Sequence, residues 1–503
     1  MPRFLAIDAG TTSMKAAIFD PDGNLLAVDR QEYRLETPAP AVVELDAEIY
    51  WAACCRAMRA VVEASATSPA EITSLCISSQ AETLIPVDAA GAPLRRAIVW
   101  LDNRAVEEAR LIREEFGNEA MYRVSGQPEI VPTWPACKIL WLRRNEPDLF
   151  RRTHKFLLLE DFLLHRLTGQ FVTEHALQVS SMLLDIVAKE WHRPILDFVG
   201  ITPDRLGRLM EPGEIVGPLS GAGAAQAGLS PATVAVTGAI DQVIGALGSG
   251  NIAPGVVTEN TGGALAVIAT LAGPLFDPLR RVPCHYHARP DTYCLLPWSQ
   301  TAGMALRWFR DAFYAGEAEA ARRAGLDPYD RMTLEAAQAP AGSDGLVALP
   351  HLEGAACPEF NPAARGVFFG ATLRHTRAHF VRALMESVAY MLKRDVDLVE
   401  ELGVPVRELR STGGGARSEL WLRIKADVLQ LPVATVACEE TALLGAAILG
   451  AVATGCYSHL EQAVARMARL RGRIEPDPAN AEVYRRGYAQ YVELYERLKP
   501  MFG

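Results

Sequence analysis

Residues 3–19 read RFLAIDAGTTSMKAAIF, in which two apolar runs flank the short polar stretch DAGTTS at residues 8–13. Apolar runs separated by glycine and hydroxyl residues are typical of a hairpin, and small polar residues suit any tight turn. After a second turn, PDGN (21–24), the pattern continues, so we predict strands over residues 3–8, 14–20 and 25–33. A helix capped by Asp46 and a buried strand ITSLCIS (72–78) follow, which predicts an α/β layered fold.

The amino-acid composition limits the possible classes of protein. The chain has 503 residues, and 50% of them are apolar, which is enough for two sizeable cores. Its 50 Lys and Arg residues stand against 60 Asp and Glu residues, and the basic residues form no block longer than pairs such as Arg95-Arg96. We therefore expect no nucleic-acid partner and no binding to an anionic membrane surface.

Cysteine usage and hydropathy indicate the cellular compartment. The nine cysteines are odd in number and contain no CxxC pair, which fits a reducing cytosol better than a disulfide framework. CHYHARPDTYC (284–294) lacks the paired ligand spacing of zinc sites, so we predict no metal there. The N-terminal residues do not read as a signal peptide, and no apolar stretch reaches the roughly 18–20 residues of a membrane helix. We expect a soluble, cytoplasmic protein.

The pattern of the first residues returns in the middle of the chain. ATVAVTGAIDQVIGALGSG (232–250) predicts a strand, a glycine, an acid and a helix of small residues. GVVTENTGGALAVIAT (255–270) then repeats the order of strand, Gly/Thr turn and strand seen in residues 3–19. We therefore expect a duplicated fold with two domains, residues 1–249 and 250–503.

Three turns that end strands share glycine and hydroxyl residues: DAGTTS (8–13), NTGGA (260–264) and TGGGARS (412–418). Glycines permit close approach of the backbone, and exposed N–H groups or a helix N-terminus bind anions, so phosphate is the ligand that such turns suit. The sequence has no GxxxxGK[ST] motif, which excludes a P-loop.

Essentially the whole chain resembles the FGGY carbohydrate kinases of the actin-like ATPase superfamily. Besides DAGTTS, the matching segments are PACKILWLRRN (135–145), LLLEDFLLHRLTG (157–169), GAIDQ (238–242), GVFFGATLRHTRAHFVRALMESVAY (366–390) and GGGARSELWLRIKADVLQLPV (413–433). The resemblance implies two ribonuclease H-like domains with a cleft between them, the first binding sugar and the second binding nucleotide. It also implies phosphorylation of a small sugar or polyol with ATP and Mg²⁺. Thr133, Ala371 and Leu384 depart from the usual signature residues.

The resemblance also assigns roles to single residues. Asp241 matches the catalytic base, and we expect the helix N-terminus to keep it ionised; a plain helix cap is the alternative. Asp8 matches the acid that lies near the magnesium ion of the nucleotide. Nucleotide-binding positions are matched by Thr11, Thr12, Thr261, Gly262, Gly303, Gly413, Gly414 and Ser418, with a helix-start glycine as the alternative for Gly303.

Two loops, SSQAETL (78–84) and VWLDNR (99–104), align with segments that contact substrate hydroxyls in the family. The expected substrate-binding residues are Gln80, Glu82, Trp100, Asp102 and Gln242. Trp100 and Asp102 also fit a role in closing the loop or in the core. Ala81-Glu82 matches neither the Met-His of xylulokinases nor the Arg-Glu of glycerol kinases. We rank a ketopentose such as xylulose first and keep glycerol, erythritol and other polyols open.

Two other classes of function remain possible on this fold. A non-catalytic, sugar-responsive regulator would more readily have lost Asp8 or Asp241, and no DNA-binding segment precedes the first strand. An ATPase that couples hydrolysis to motion would not need the hydroxyl-binding groups of the two loops. Family analogy favours a homodimer, although a single sequence identifies no interface.

Overall fold

The computed structural model describes residues 1–502. They form two compact units, each assembled from three chain segments. Unit 1 contains residues 1–252, 271–294 and 440–469, and unit 2 contains residues 253–270, 295–439 and the segment from 470 onward. The sequence placed everything from residue 250 in one domain, whereas two later segments pack within unit 1.

The chain up to residue 252 alternates strands and helices. Its strands are β1 (Arg3–Ala9), β2 (Ser13–Phe19), β3 (Leu25–Glu32), β4 (Glu36–Ala39), β5 (Val42–Leu45), β6 (Ile72–Ser79), β7 (Ile85–Val87), β8 (Ala97–Ile98), β9 (Lys155–Leu157), β10 (Val172–Glu174), β11 (Leu184–Asp185), β12 (Glu190–Trp191), β13 (Arg208–Met210), β14 (Ile215–Pro218) and β15 (Val234–Ile240). Its helices are α1 (Ala47–Ala64), α2 (Val106–Phe116), α3 (Asn118–Ser125), α4 (Pro135–Asn145), α5 (Pro147–Arg152), α6 (Leu159–Thr168), α7 (His175–Gln178), α8 (Arg193–Val199), α9 (Gly221–Ala227) and α10 (Asp241–Gly248).

The second half of the chain continues in the same style. Its strands are β16 (Val256–Thr261), β17 (Leu265–Leu271), β18 (Cys284–Tyr286), β19 (Tyr293–Leu295), β20 (Trp298–Ser299), β21 (Val347–Leu349), β22 (Val367–Phe369), β23 (Glu408–Thr412), β24 (Val433–Val436) and β25 (Leu470–Ile474). Its helices are α11 (Gly303–Phe313), α12 (Ala315–Arg323), α13 (Pro328–Ala336), α14 (Arg377–Glu401), α15 (Glu419–Leu429), α16 (Thr441–Ala453), α17 (Leu460–Met467) and α18 (Ala481–Leu498).

The central sheet of unit 1 has the strand order β14–β15–β6–β1–β2–β3. β1, β6 and β15 run parallel to one another, while β2, β3 and β14 are antiparallel to their neighbours. α1 begins after Asp46, whose side chain accepts a hydrogen bond from the Glu48 N–H, and its apolar face packs into the core beside β1 and β2. The carboxyl ends of the three parallel strands therefore meet at one edge.

Helix α16 joins unit 1 although it lies some 200 residues later in the chain than α10. It packs against α10 and against the sheet strands β1 and β6. The helices come very close, since a Cβ at Gly248 would lie 1.9 Å from the Thr441 carbonyl oxygen and one at Gly445 would lie 2.1 Å from that of Ile244. Small residues allow this contact, which explains the departure from a simple division at residue 250.

Unit 2 repeats the pairing pattern of unit 1. Five of its strands follow the order β17–β16–β23–β24–β25. The β16–β17 hairpin is antiparallel, β23 and β24 extend the sheet in parallel, and β25 closes it in antiparallel fashion. This is the arrangement of β2–β1–β6–β15–β14, as expected from the repeated sequence pattern.

The predicted elements are largely confirmed. The three-strand meander, the helix after Asp46 and the strand-to-helix unit around Asp241 lie within a residue or two of the predicted positions. Residues 135–152 form two successive helices, α4 and α5, because Pro147 begins a new one. Within residues 1–502, no helix is both long enough and apolar enough to cross a membrane. All nine cysteines are free thiols.

Candidate active site

The register of the parallel strands brings Asp8 close to the start of α10. Asp8 on β1 pairs with Ser78 on β6, and Ser78 pairs in turn with Ala239 on β15. The Ser78 hydroxyl donates a hydrogen bond of 3.1 Å to the Asp8 carboxylate. Asp241, two residues beyond Ala239, is the first residue of α10. The two acids thus lie at the carboxyl ends of β1 and β15, two parallel strands that flank β6, and ligands bind at such strand ends in open α/β sheets.

Both acids are half-buried, and their pKa values respond to this environment. Burial raises the pKa of Asp241 to about 8, with a further contribution from the negative charge of Asp8, while the Gln242 N–H opposes it by donating to Oδ1 at 2.8 Å. Burial also raises the pKa of Asp8, opposed by the Lys15 ammonium and the Ser78 hydroxyl. The raised pKa contradicts the expectation that the helix N-terminus keeps Asp241 ionised, because burial and the nearby acids disfavour its charged form.

The loop after β6 carries two of the predicted substrate-binding residues. Gln80 is buried, its N–H donates to the Ala9 carbonyl at 2.9 Å, and its side-chain carbonyl oxygen has no hydrogen-bond partner in the described chain. Glu82 adopts a φ of 58°, a left-handed conformation that is strained for a residue with a Cβ. Burial raises the pKa of Glu82, and its negative charge also raises the pKa of Asp241. Strain and clustered acids are typical of a functional site.

The loop around residue 100 divides its predicted residues between two roles. The Trp100 indole N–H donates to the Thr11 hydroxyl at 2.9 Å, which ties this loop to the first hairpin. Asp102 is fully buried, and its carboxylate accepts bonds from the Arg104 guanidinium at 2.7 Å and from the Val43 N–H at 2.6 Å. Both of these bonds go to Oδ2, and Oδ1 accepts the backbone N–H and the Nε–H of Arg104 at 3.0 and 2.9 Å. Because both carboxylate oxygens are occupied, the geometry favours a structural role for Asp102.

Sequence reasoning missed Lys138 and Ser180. Lys138 is fully buried on α4, and its ammonium donates to the carbonyl oxygens of Glu82 and Val99, both at 2.9 Å. Burial lowers the pKa of Lys138 to about 7. The Ser180 hydroxyl opposes the effect of burial on the Glu82 pKa. The PACKILW motif contained the signal for Lys138, since a lysine within an apolar helix needs buried partners.

The remaining predicted residues of the first hairpin and of α10 are accessible or carry an unpaired polar atom, whereas the neighbouring Lys15 is paired. Thr12 is exposed and Thr11 is half-buried at the tip of the β1–β2 turn. Gln242 is half-buried, and its side-chain carbonyl oxygen lacks a hydrogen-bond partner among residues 1–502. Lys15 forms an ion pair of 2.6 Å with Glu440.

In unit 2, a buried ion pair between α15 and β16 holds the β16–β17 hairpin in place. The Lys425 ammonium lies 2.6 Å from the Glu259 carboxylate and donates to the Thr261 hydroxyl at 3.0 Å, so the Thr261 side chain is committed to the interior. Gly262 is exposed at the hairpin tip. Gly303 begins α11 so close to this tip that a Cβ would lie 2.3 Å from the Gly262 carbonyl oxygen. The contact requires glycine at position 303.

The glycine turn after β23 lies beside the same hairpin. Gly413 has a φ of 75°, and a Cβ there would lie 2.3 Å from the Asn260 side-chain oxygen, so only glycine fits. Gly414 is exposed. Ser418 caps α15 by accepting the Trp421 N–H at 3.2 Å, which gives its hydroxyl a structural partner. The structure therefore brings Thr261, Gly262, Gly303, Gly413 and Gly414 together within unit 2.

Comparison with known proteins identifies the family. The models of the N-terminal and C-terminal domains of the FGGY family of carbohydrate kinases match residues 3–248 and 264–454. The chain belongs to the FGGY family of carbohydrate kinases. It is 32% identical to a gluconokinase of Bacillus subtilis over 99% of this chain and 96% of that one. It is 27% identical to a xylulose kinase of the same organism, over 100% and 98% of the two chains.

A solved structure agrees with the family assignment. The xylulose kinase from Rhodospirillum rubrum superposes with a TM-score of 0.90 at 28% identity, covering 99% of each chain. The FGGY fold is thus confirmed over the whole length, as a two-domain actin-like ATPase fold. Family membership makes this protein a phosphotransferase that uses ATP and transfers the phosphate to a hydroxyl of a small sugar.

Proposed function

We propose that this FGGY kinase phosphorylates a small neutral sugar, with a ketopentose of the xylulose type as the first candidate. The proposal rests on the negative charge around the start of α10 and the loop after β6, where the sugar is expected to bind. Asp8, Glu82 and Asp241 cluster there, and the basic residues beside them already have partners: Lys15 pairs with Glu440, and Lys138 is bonded to two carbonyl groups. A neutral polyhydroxy substrate can bond to these acids and to the free amide oxygens of Gln80 and Gln242.

Asp241 is proposed as the general base. In its ionised form it accepts the proton of the sugar hydroxyl as the hydroxyl oxygen attacks the γ-phosphorus of ATP and the bond to the β-phosphate oxygen breaks. A base is most effective when its pKa lies near the working pH, and a pKa of about 8 meets this condition. Base catalysis of this kind contributes about 10²- to 10⁴-fold to the rate.

Asp8 is proposed as the residue nearest to Mg²⁺. Its carboxyl is held by one hydroxyl and remains partly exposed, and Mg²⁺ prefers one or two carboxylates together with phosphate oxygens. When bound, the ion would neutralise phosphate charge. Thr11 and Thr12 are proposed to contact phosphate, and the unit 2 set of Thr261, Gly262, Gly303, Gly413, Gly414 and Ser418 is proposed to bind the nucleotide through backbone groups and, at Ser418, through the helix start.

Gluconate is a second candidate, because the Bacillus subtilis relative at 32% identity is named a gluconokinase. A sugar acid brings a carboxylate that needs a cation or several N–H donors. The paired state of Lys15 and Lys138 argues against it. Glycerol and erythritol remain alternatives of the neutral kind.

The test is ADP release with Mg-ATP across xylulose, ribulose, ketohexoses, erythritol, glycerol and gluconate, with a control lacking sugar. We expect the highest kcat/KM with a neutral ketopentose and no release without sugar. A preference for gluconate would overturn the neutral-sugar proposal. Asp241→Asn is expected to abolish turnover with every sugar while ATP still binds, and retained turnover would remove Asp241 as the base.

A further inference from the structure

Glu160 is a fully buried acid on α6 that lies outside both predicted substrate loops. Its Oε1 accepts a hydrogen bond of 2.8 Å from the backbone N–H of Gly238, and its Oε2 has no partner in the part of the chain that the structure describes. Gly238 lies on β15, three residues before Asp241. A side chain from a separate element thus holds the strand that leads to the proposed base.

The strand at this point contains a β-bulge. Between the pairs Val236–Cys76 and Ala239–Ser78, β15 has two residues where β6 has one. An extra residue in one strand interrupts the ladder and turns the following side chains, since a shift by one residue exchanges the two faces of a strand. The bulge therefore sets the direction in which Asp241 leaves the sheet.

Of the two backbone N–H groups in the bulge, those of Thr237 and Gly238, only the Gly238 N–H is bonded to Glu160. The Thr237 N–H donates to the Glu214 carbonyl at 3.0 Å, toward the β14 side. Gly238 approaches β6 so closely that a Cβ would lie 1.7 Å from the Ile77 carbonyl oxygen. Its N–H is bonded to Glu160 rather than to the ladder. A buried amide needs an acceptor, so Glu160 stabilises the bulged geometry over a regular ladder.

We propose that Glu160 is a positioning residue, which fixes the bulge at Gly238 and thereby the direction of the Asp241 carboxylate. This inference rests on the proposed role of Asp241 as the base. Burial raises the pKa of Glu160 to about 8, which favours the neutral carboxyl at neutral pH, and Oε1 accepts the Gly238 N–H in either protonation state. A glutamine would present the same acceptor in the same place.

The test compares Glu160→Gln with Glu160→Met, two side chains of similar length that differ in the acceptor oxygen. We expect Gln to retain kcat within about twofold and Met to lower kcat about 10- to 100-fold, because a small misplacement of a catalytic group has effects of that size. KM for sugar and for ATP should stay within about twofold in both variants. A kcat for Met equal to that of the parent, or an equal loss in both variants, would overturn the proposal.

Two further variants keep the result interpretable. Asp161→Asn is the control, because Asp161 is the next buried acid of α6 and bonds to the Leu158 N–H rather than to β15; it should leave kcat unchanged. If the Met variant does not fold, Glu160→Asp replaces it: the shortened acid draws its oxygen away from Gly238, so a lowered kcat supports the proposal and a parental kcat refutes it. Asp241→Asn in the same assay separates the two proposals, since its full activity would refute the base itself.

Discussion

Replacing Asp241 by asparagine should stabilise the protein while abolishing its activity. The folded-state pKa of about 8 lies above the 3.8 of a free aspartate. Between these values the folded state binds a proton that the unfolded chain has lost, so the aspartate destabilises the folded state increasingly as pH rises through this window. At pH 7 the penalty has accumulated over about 3 pH units at about 1.36 kcal/mol each, an upper limit of about 4 kcal/mol.

The expected gain is smaller than this limit. Water reaches part of the Asp241 side chain, so we expect the asparagine variant to gain about 1–3 kcal/mol at pH 7, a rise of about 2–5 °C in Tm. The amide keeps an oxygen that can accept the Gln242 N–H. At pH 5 the gain should fall to less than half its value at pH 7, because the unfolded aspartate is then closer to its own pKa.

Asp102→Asn is the matched control, because the same substitution is expected to lower the stability of the protein rather than raise it. Its carboxylate is bonded to Arg104, whose side chain is only 8% exposed, so removal of the charge leaves a buried guanidinium short of a partner. We expect a loss of about 3–5 kcal/mol. Thermal unfolding of both variants at pH 5 and pH 7 measures the effects. A lower Tm for Asp241→Asn at pH 7, or a gain of equal size at both pH values, would refute the reasoning.

Three further predictions concern the hairpin of unit 2 and the pH profile. Gly303→Ala should lower the free energy of unfolding by about 1–3 kcal/mol and raise KM for ATP, because its Cβ would lie 2.3 Å from a carbonyl oxygen. Gly316→Ala is the control, since a Cβ there meets nothing within 4 Å, and it should change neither quantity in the same kinetic and unfolding assays. The kcat/KM for the sugar should increase with pH up to a plateau above about 8, the pKa of Asp241; a flat profile from pH 6 to 9 would contradict this. Lys425→Met should cost about 3–5 kcal/mol in denaturant unfolding, since it leaves Glu259 buried and unpaired, and an unchanged midpoint would contradict the importance of this pair.

Local patterns in the sequence were sufficient to predict most elements of the sheets. The DAGTTS hairpin, the Asp46 cap and the GAIDQ strand-to-helix turn depend on neighbouring residues, and their predicted positions are confirmed. The unit to which α16 belongs depends instead on contact with α10, almost 200 residues away in the chain. No local pattern carries that information.

The site shows the same difference between local and distant causes. The resemblance to the FGGY kinases pointed to the acids Asp8 and Asp241, but the pKa of Asp241 depends on burial and on charges brought by β1 and the loop after β6. Asp102 resembles a substrate ligand in the sequence, whereas its carboxylate is occupied by Arg104 and a backbone amide. Glu160 gave no signal at all, because its partner is a backbone N–H of a distant strand.

The late position of α16 in the chain affects how the protein is made. A ribosome synthesises residues 1–252 well before residues 441–453, so during translation the face of β1 and β6 that α16 covers stays open while some 190 residues are added. The nascent first unit therefore exposes apolar surface for many seconds at about 5–20 residues per second. Final closure of its core awaits the emergence of α16 from the exit tunnel.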